Sequence, residues 1–422
     1  MRIAIVGAGL TGLALAWLLE PDHEVQVLES SVAAGGNIHS TEVHVGASTV
    51  IADLGTQYLP VRDDSCSLQL LKALGLASNT LTPVPATVTI CATTTSPPLL
   101  VSPHQPHERV GFRTRRGAEA WQAYRIFLEA AAFHQRFGSW ASPLSRLLDT
   151  LPIRSEIKCQ VIYPLLTHST SCEYKLARDL SARAASEPPL VAAPHIPEHL
   201  STWLTLAQGM GQIARTLQTA LKAGTLRTGA RVTALRRHAE HYDLIQADGT
   251  ARADAGVLAI PAPQALDLLA TLPGTIHLQH HLARFPYAQA TVALHQDPRI
   301  MPADRRFWST VNITTAGELP ATTQWYNPAP GADLFKSWLT PDTEPPRHIL
   351  ARRSFQHFLP TTDAIRARNA LAPHQGRGNL YLAGSYLATN DSQESAVRSA
   401  LATAGAIGLS TSNTRADVLR AR

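Results

Sequence analysis

The feature that most constrains this chain is its first dozen residues. RIAIVG at 2–7 has the apolar run of a short buried strand, and GAGLTG follows directly before the alanine- and leucine-rich LALAWLLE. A strand, a glycine turn and a helix in that order place Gly7, Gly9 and Gly12 in a GxGxxG. The first glycine permits the tight turn. The second lets the backbone approach a pyrophosphate, and the third lets the helix pack on the strand. The helix amino terminus, entered through Leu10 and Thr11, offers free N–H groups to an anion. The next strand, EVQVLE, ends at Glu29, seventeen residues past Gly12. A carboxylate there accepts both ribose hydroxyls and repels a 2′-phosphate. The competing reading is a glycine turn in an α/β fold with no ligand.

Six residues beyond Glu29 a second glycine pair, Gly35–Gly36, opens GGNIHS. A nicotinamide site does not need it. A second close backbone approach suits a longer cofactor that runs through the domain. At this point the chain resembles the flavin amine oxidase/phytoene desaturase superfamily. The resemblance rests on the GxGxxG with Glu29, GGNIHS, DLGTQY at 53–58, WLTLAQGMGQIARTL at 203–217, GARVTAL at 229–235, VLAIPAPQALDLL at 257–269 and LYLAGSYLATNDSQESAVRSAL at 380–401. Their shared order is more specific than any one of them.

That resemblance implies an α/β FAD-binding Rossmann-like domain of the amine oxidase type. It also implies an α+β substrate domain with a mixed sheet and a helical insert. The cofactor it implies is FAD. The cofactor set it implies is Gly7, Gly9, Leu10, Thr11, Gly12, Glu29, Gly35, Gly36, Asn37, Gly55, Thr56, Gln57, Val232, Gly384, Ser385, Gln393, Glu394 and Ser395. Val232 would hold the adenine half through its backbone. The helix starting near Gln393 would aim its N–H groups at the flavin, stabilising the charge of the reduced ring. The segment 294–312 is similar to a bacterial branch found beside lipid-modifying enzymes, and the general outline is similar to the polyenoic fatty acid isomerases.

Four positions depart from the family pattern. The arginine that commonly follows the second glycine pair is Asn37, so its phosphate contact is lost or supplied elsewhere. The acidic residue after LYLAG is Ser385. The lysine that holds a water near the flavin falls at Val292, following Arg284-Phe285-Pro286. Of the five lysines (72, 158, 175, 222 and 336) only Lys336 falls in the β-rich substrate region, where it reads as a surface residue with a catalytic role held open. One wall of the aromatic cage is Ser392. Tyr58, Trp325 and Tyr326 are the remaining aromatic candidates, the last two reading chiefly as sheet core. His39, Gln57 and Tyr58 are polar or aromatic groups expected beside the flavin, where they could position a substrate or a proton.

The domains follow from these motifs, which must meet around one cofactor. Residues 1–75, 205–265 and 370–410 form the cofactor domain, 76–204 and 266–369 the substrate domain, and 411–422 a frayed tail. Pro188, Pro189, Pro194 and Pro197 mark a linker. The four cysteines lack any CxxC spacing and read as reduced thiols, and no metal motif is present. The net charge of +5 is scattered in arginine pairs, which argues against a nucleic-acid partner and leaves peripheral membrane contact open. No leader or membrane span is read, so the expected location is cytoplasmic. The expected activity is removal of a hydride from a small, chiefly hydrophobic substrate, by C–C desaturation or C–N oxidation. Dioxygen or another acceptor then reoxidises the flavin. Amine or amino-acid oxidation, redox-neutral double-bond isomerisation and non-catalytic flavin binding are the alternatives. The oligomeric state is left open.

Overall fold

A computed structural model describes residues 1–61, 64–76, 80–102, 114–192, 202–326 and 333–420. Its centre is a five-stranded parallel sheet in the order β10 (Leu226–Arg227), β2 (Glu24–Leu28), β1 (Arg2–Val6), β14 (Ala255–Leu258), β20 (Leu380–Leu382). The apolar run IAIV becomes β1, the middle strand, because only a strand covered on both faces can be apolar at consecutive positions. Its side chains alternate across the sheet. Ile3 and Ile5 face α1 (Leu10–Leu19), α9 (Gly211–Ala220) and α13 (Gln393–Ile407), whereas Ala4 and Val6 face the opposite layer. That layer holds the antiparallel sheet β11 (Val232–Arg237), β12 (Tyr242–Gln246), β13 (Gly249–Ala253), with α10 (Ala262–Ala270), α11 (Ile276–Leu282) and α12 (Thr362–Leu371). All ten residues of α1 are buried, so it has no solvent face and runs between the sheet and α13.

The second large element is a seven-stranded mixed sheet. Its order is β19 (Ile349–Phe358), β15 (Tyr287–His295), β18 (Phe335–Leu339), β17 (Ala321–Trp325), β16 (Val311–Thr314), β7 (Val88–Cys91), β8 (Pro98–Val101). Pairing is antiparallel except between β16 and β7. One end of one face, carrying Val292, Leu294, Trp338 and Phe355, packs on the hairpin of β3 (Ser40–Val45) and β4 (Ser48–Asp53). Further along, Val311 and Ile313 pack under the helical insert. The insert comprises α3 (Arg115–Phe137), α4 (Leu144–Asp149), α5 (Ser155–Ile157), α6 (Tyr163–Thr167), α7 (Tyr174–Ala177) and α8 (Ala182–Ala192). A small sheet, β5 (Leu59–Pro60), β9 (Thr202–Leu206), β6 (Leu81–Pro85), joins the two halves.

Three expectations are corrected here. The tail is not frayed: Thr414–Arg420 is a helix, α14, packed on α2 (Cys66–Ala73). Ala416 and Leu419 fill the core there, and Arg415 reaches the carbonyl of Trp17. Pro188 and Pro189 do not begin a linker but lie within α8, while Pro194 and Pro197 fall outside the described residues. Lys336 is not on the surface, being 1% exposed. It sits in β18, an interior strand between β15 and β17 that is buried at four of its five positions, a setting that sequence position alone does not reveal. All four cysteines are free. No helix among the described residues is long and apolar enough to cross a membrane.

Candidate active site

The glycine turn stands at the carboxyl end of β1, the end where open α/β sheets bind ligands. Gly7 has a φ of +102°, and a Cβ there would lie 2.6 Å from the Ala259 carbonyl oxygen. A Cβ on Gly12 would lie 2.0 Å from the Gly7 carbonyl oxygen, so the missing side chain is what lets α1 touch the turn. Gly9 differs: its Cβ would meet no protein atom within 4 Å. The open side of the cradle is therefore at Gly9, at the amino terminus of α1. Leu10 is core and Thr11 turns its hydroxyl to the Ala396 carbonyl on α13. Any ligand contact from these two would come through their backbone.

Glu29 lies at the end of β2 as expected. Its carboxylate accepts the Ala8 N–H at 2.7 Å and the Ser31 N–H at 2.8 Å. The Ala230 N–H donates to the Glu29 carbonyl, so the strand carrying Val232 starts alongside it. Gly35 donates to the Ala8 carbonyl at 2.8 Å and bridges to Gly9. Gly36 has a φ of +60°, and a Cβ on it would lie 3.1 Å from Gly9 Cα. The loop then locks to DLGT. Gly55 and Leu54 donate to the His39 carbonyl and Thr56 to the Asn37 carbonyl, and a Cβ on Gly55 would lie 1.9 Å from Asn37 oxygen. The Asn37 amide itself donates to the Gln356 carbonyl on β19.

From the far side, α13 points its amino terminus toward this crevice, packed along α1. Ser392 caps it by accepting the Ser395 N–H, and the Ser395 hydroxyl bonds with Thr389 and Asn390. Gln393, 6% exposed, has both side-chain amide atoms buried with no hydrogen-bond partner. A buried unpaired amide costs stability unless a ligand satisfies it. The remaining two partners stand differently from expectation. Glu394 turns away and accepts from Ser65 Oγ and from the Cys66 and Ser67 N–H groups, capping α2, with Arg398 beside it. Its side chain serves the helix pair because it leaves α13 on the side facing α2. After Gly384, Ser385 donates to Asp391, whose other carboxylate oxygen bonds His357. The acid absent at 385 thus stands six residues later.

The polar centre opposite the crevice belongs to the seven-stranded sheet. Lys336 pairs in register with Leu294, and Trp338 with Val292, so the lysine shares the face of the vacated position one strand over. Its ammonium donates to the Gly55 carbonyl at 2.5 Å and approaches Gln57 Oε1 at 3.4 Å, with the Trp338 ring 5.0 Å below. Burial lowers its pKa to about 7, partly opposed by Asp53. Asp53, 2% exposed, accepts from Ser40 Oγ and the Met210 N–H at the start of α9, and burial raises its pKa to about 6. Gln57 donates to the Tyr58 hydroxyl at 2.8 Å, and Tyr58 stacks on Trp203 at 5.0 Å. Lys336, Gln57 and Tyr58 thus form one connected set.

His39 is separate from that set. Its Nδ1 lies 2.6 Å from a guanidinium nitrogen of Arg353, and burial followed by that cation lowers its pKa. The ring therefore stays neutral and accepts from Arg353. A ring engaged in this way is poorly placed to move protons for a substrate. Of the other aromatic candidates, Tyr326 is pinned by its hydroxyl to the backbone of Asp53, and Trp325 packs on the opposite side with Trp308. Sequence reasoning missed Arg353, Asp53 and Trp203. Asp53 and Trp203 open two of the segments that carry the family resemblance, DLGTQY and WLTLAQGMGQIARTL, and could have been found there; Arg353 lies in none of them, and strand alternation is the signal that marks it. One metal-type cluster, His238, His241 and Asp243, occurs among the described residues on the β11–β12 hairpin; Arg252 already pairs with its carboxylate.

A parallel sheet with a glycine turn, an acid at the second strand and a converging C-terminal helix has the outline of a dinucleotide-binding fold. The family model for flavin-containing amine oxidoreductases matches residues 10–350, and the chain belongs to that family. It is similar to tryptophan 2-monooxygenase of Allorhizobium ampelinum, 36% identical over 89 residues, a match covering 21% of this chain and 12% of that relative's length. Among solved structures it resembles a fatty acid isomerase from P. acnes producing CLA, with TM-score 0.68, 14% identity and coverage of 94% and 96% of the two chains. It also resembles cyclohexylamine oxidase from Brevibacterium oxydans, with TM-score 0.67, 16% identity and coverage of 96% and 98%. At those identities the likeness is one of fold.

Proposed function

We propose that the protein is an FAD-dependent oxidoreductase that takes a hydride from a carbon bearing nitrogen in a small, largely apolar substrate. Bound FAD supplies the hydride acceptor. The residues present suit it: open space at Gly9, a ribose-spaced Glu29, and the orphaned amide of Gln393 where the helix meets the crevice. Gly7, Gly9, Gly12, Gly35, Gly36 and Glu29 would hold the dinucleotide, Val232 the adenine, and Gln393 with the amino terminus of α13 the flavin.

The observation that favours nitrogen chemistry is Lys336. With a pKa near 7, its amine is present in neutral form at ordinary pH and can take a proton from a substrate ammonium or from a held water. Gln57 and the Gly55 carbonyl orient that amine, while Tyr58 and Trp203 offer an aromatic wall. The lysine expected at Val292 is absent, and Lys336 stands on the neighbouring strand and the same face. Oxidation of amines or amino acids therefore gains over carbon–carbon desaturation. Dioxygen is the proposed acceptor.

The test is anaerobic mixing of the holoprotein with amines, amino acids, polyenes and fatty acids, following bleaching of the oxidised flavin band. Bleaching by an amine or amino acid, with an imine or carbonyl product, supports the reading. Double-bond migration in a polyene without net bleaching would instead identify an isomerase, and inertness toward all four classes a binding protein.

A further inference from the structure

We infer that Arg353 is the anion clamp of this cofactor site, a side chain from the substrate-domain sheet that binds the pyrophosphate and is positioned by His39. The inference rests on the FAD assignment above. Arg353 lies on β19 and pairs with Val292, so it shares the sheet face that carries Phe355 and Val292 toward the cofactor half. It is part-buried, and burial lowers its pKa. Among the described residues no carboxylate lies within ion-pair distance of it. Its guanidinium touches His39 Nδ1 at 2.6 Å and, more loosely, the Gly36 carbonyl oxygen at 3.5 Å. The carbon of its guanidinium stands 5.6 Å from the centroid of the Phe355 ring.

Guanidinium groups withdrawn from water are ordinarily paired with anions. This one carries five N–H donors, and its two recorded partners are neutral. It stands over Gly36, whose positive φ folds the loop against Gly9. Gly9 precedes the first turn of α1, where the backbone is open and the helix dipole favours negative charge. An unpaired cation and a helix amino terminus thus converge on one open spot. A pyrophosphate bridging them satisfies both. Neutral His39 accepts from one edge of the fork and leaves the other donors turned to the loop, which makes His39 a positioning residue. Asn37 leaves room for this arrangement because its own amide is turned to Gln356.

The experiment titrates apoprotein with FAD, by quenching of flavin fluorescence, and with ADP, which carries the pyrophosphate without the flavin. Arg353→Gln is expected to weaken both about tenfold or more, while the absorption maxima and midpoint potential of the flavin that does bind stay as in the parent. Arg353→Lys keeps the charge but loses the fork, so both affinities fall by less; it also serves should the glutamine variant not fold. His39→Ala is expected to weaken both probes severalfold. Unchanged ADP affinity in the Arg353 variants overturns the proposal. So does a shifted flavin potential with normal ADP binding, which would put Arg353 against the ring. A failure of the FAD assignment looks different, because the parent protein itself would then bind neither probe.

Discussion

The glycine cradle and the face of the seven-stranded sheet opposite it meet the same cofactor crevice by unlike means. The cradle is built from backbone: Gly7, Gly12, Gly35 and Gly36 work by having no Cβ, and what each would strike is backbone, Ala259 for Gly7, Gly7 for Gly12, Ile38 for Gly35 and Gly9 for Gly36. The sheet face is built from long side chains, Lys336 and Arg353, that reach Gly55 and His39 from strands far away in sequence. A backbone requirement fixes a residue to its position. A side-chain requirement fixes only where the functional group arrives, so neighbouring strands can exchange the residue that supplies it. The role proposed for Lys336, on the strand beside Val292 and the same face, would be an exchange of this kind.

The largest effect that would sharpen this contrast lies within the cradle. Gly12→Ala puts a Cβ on the Gly7 carbonyl and should leave little soluble protein, because α1 must lift from β1. Gly9→Ala meets no protein atom. Its apoprotein should unfold at the parent's temperature while failing to retain FAD. Equal stability and equal flavin content in both variants would show that the two glycines do not divide the work in this way.

On the sheet face, Lys336→Met should slow flavin reduction by about 10²- to 10⁴-fold, the range for loss of a proton-transfer group. The sign with pH follows from burial lowering the pKa to about 7. The neutral amine accumulates above that value, so the parent rate should rise as pH increases through about 7, and the variant should lose that limb. A rate that falls through the same window would contradict a base. Third in size, Glu29→Ala should raise the FAD dissociation constant about 10- to 100-fold through loss of charged hydrogen bonds, leaving protein that reloads when FAD is added. Asp53→Asn should do least. It retains an acceptor for Ser40 and Met210 but removes the charge that favours protonated Lys336, so the kinetic limb should move to lower pH.

The same contrast explains what could be read from sequence. GAGLTG, Glu29 and the second glycine pair announce themselves because a turn of fixed geometry demands specific residues at fixed spacing. The buried position of Lys336 is hidden because its register partners, Leu294 in β15 and Gln324 in β17, lie 42 and 12 residues away, and a lysine in a strand ordinarily faces water. Glu394 belongs to the cofactor set that the resemblance implies through backbone N–H groups, and its carboxylate, which that resemblance does not place, caps α2. Asp391 comes beside Ser385 only because residues 385–391 fold back on themselves and meet His357.

The order of strands in the central sheet has a consequence for how the molecule comes into being. β1 precedes its partner β14 by some 250 residues, and β20 and α13 follow more than 100 residues after β14. During synthesis the glycine turn therefore leaves the ribosome long before the strands and helix that complete its crevice. At about 5–20 residues per second, that interval is tens of seconds, during which the apolar run IAIV has only β2 beside it. Such non-local pairing is slow to form. The crevice is then among the last parts of the fold to close, so the chain must complete its own sheet before a dinucleotide can be held there.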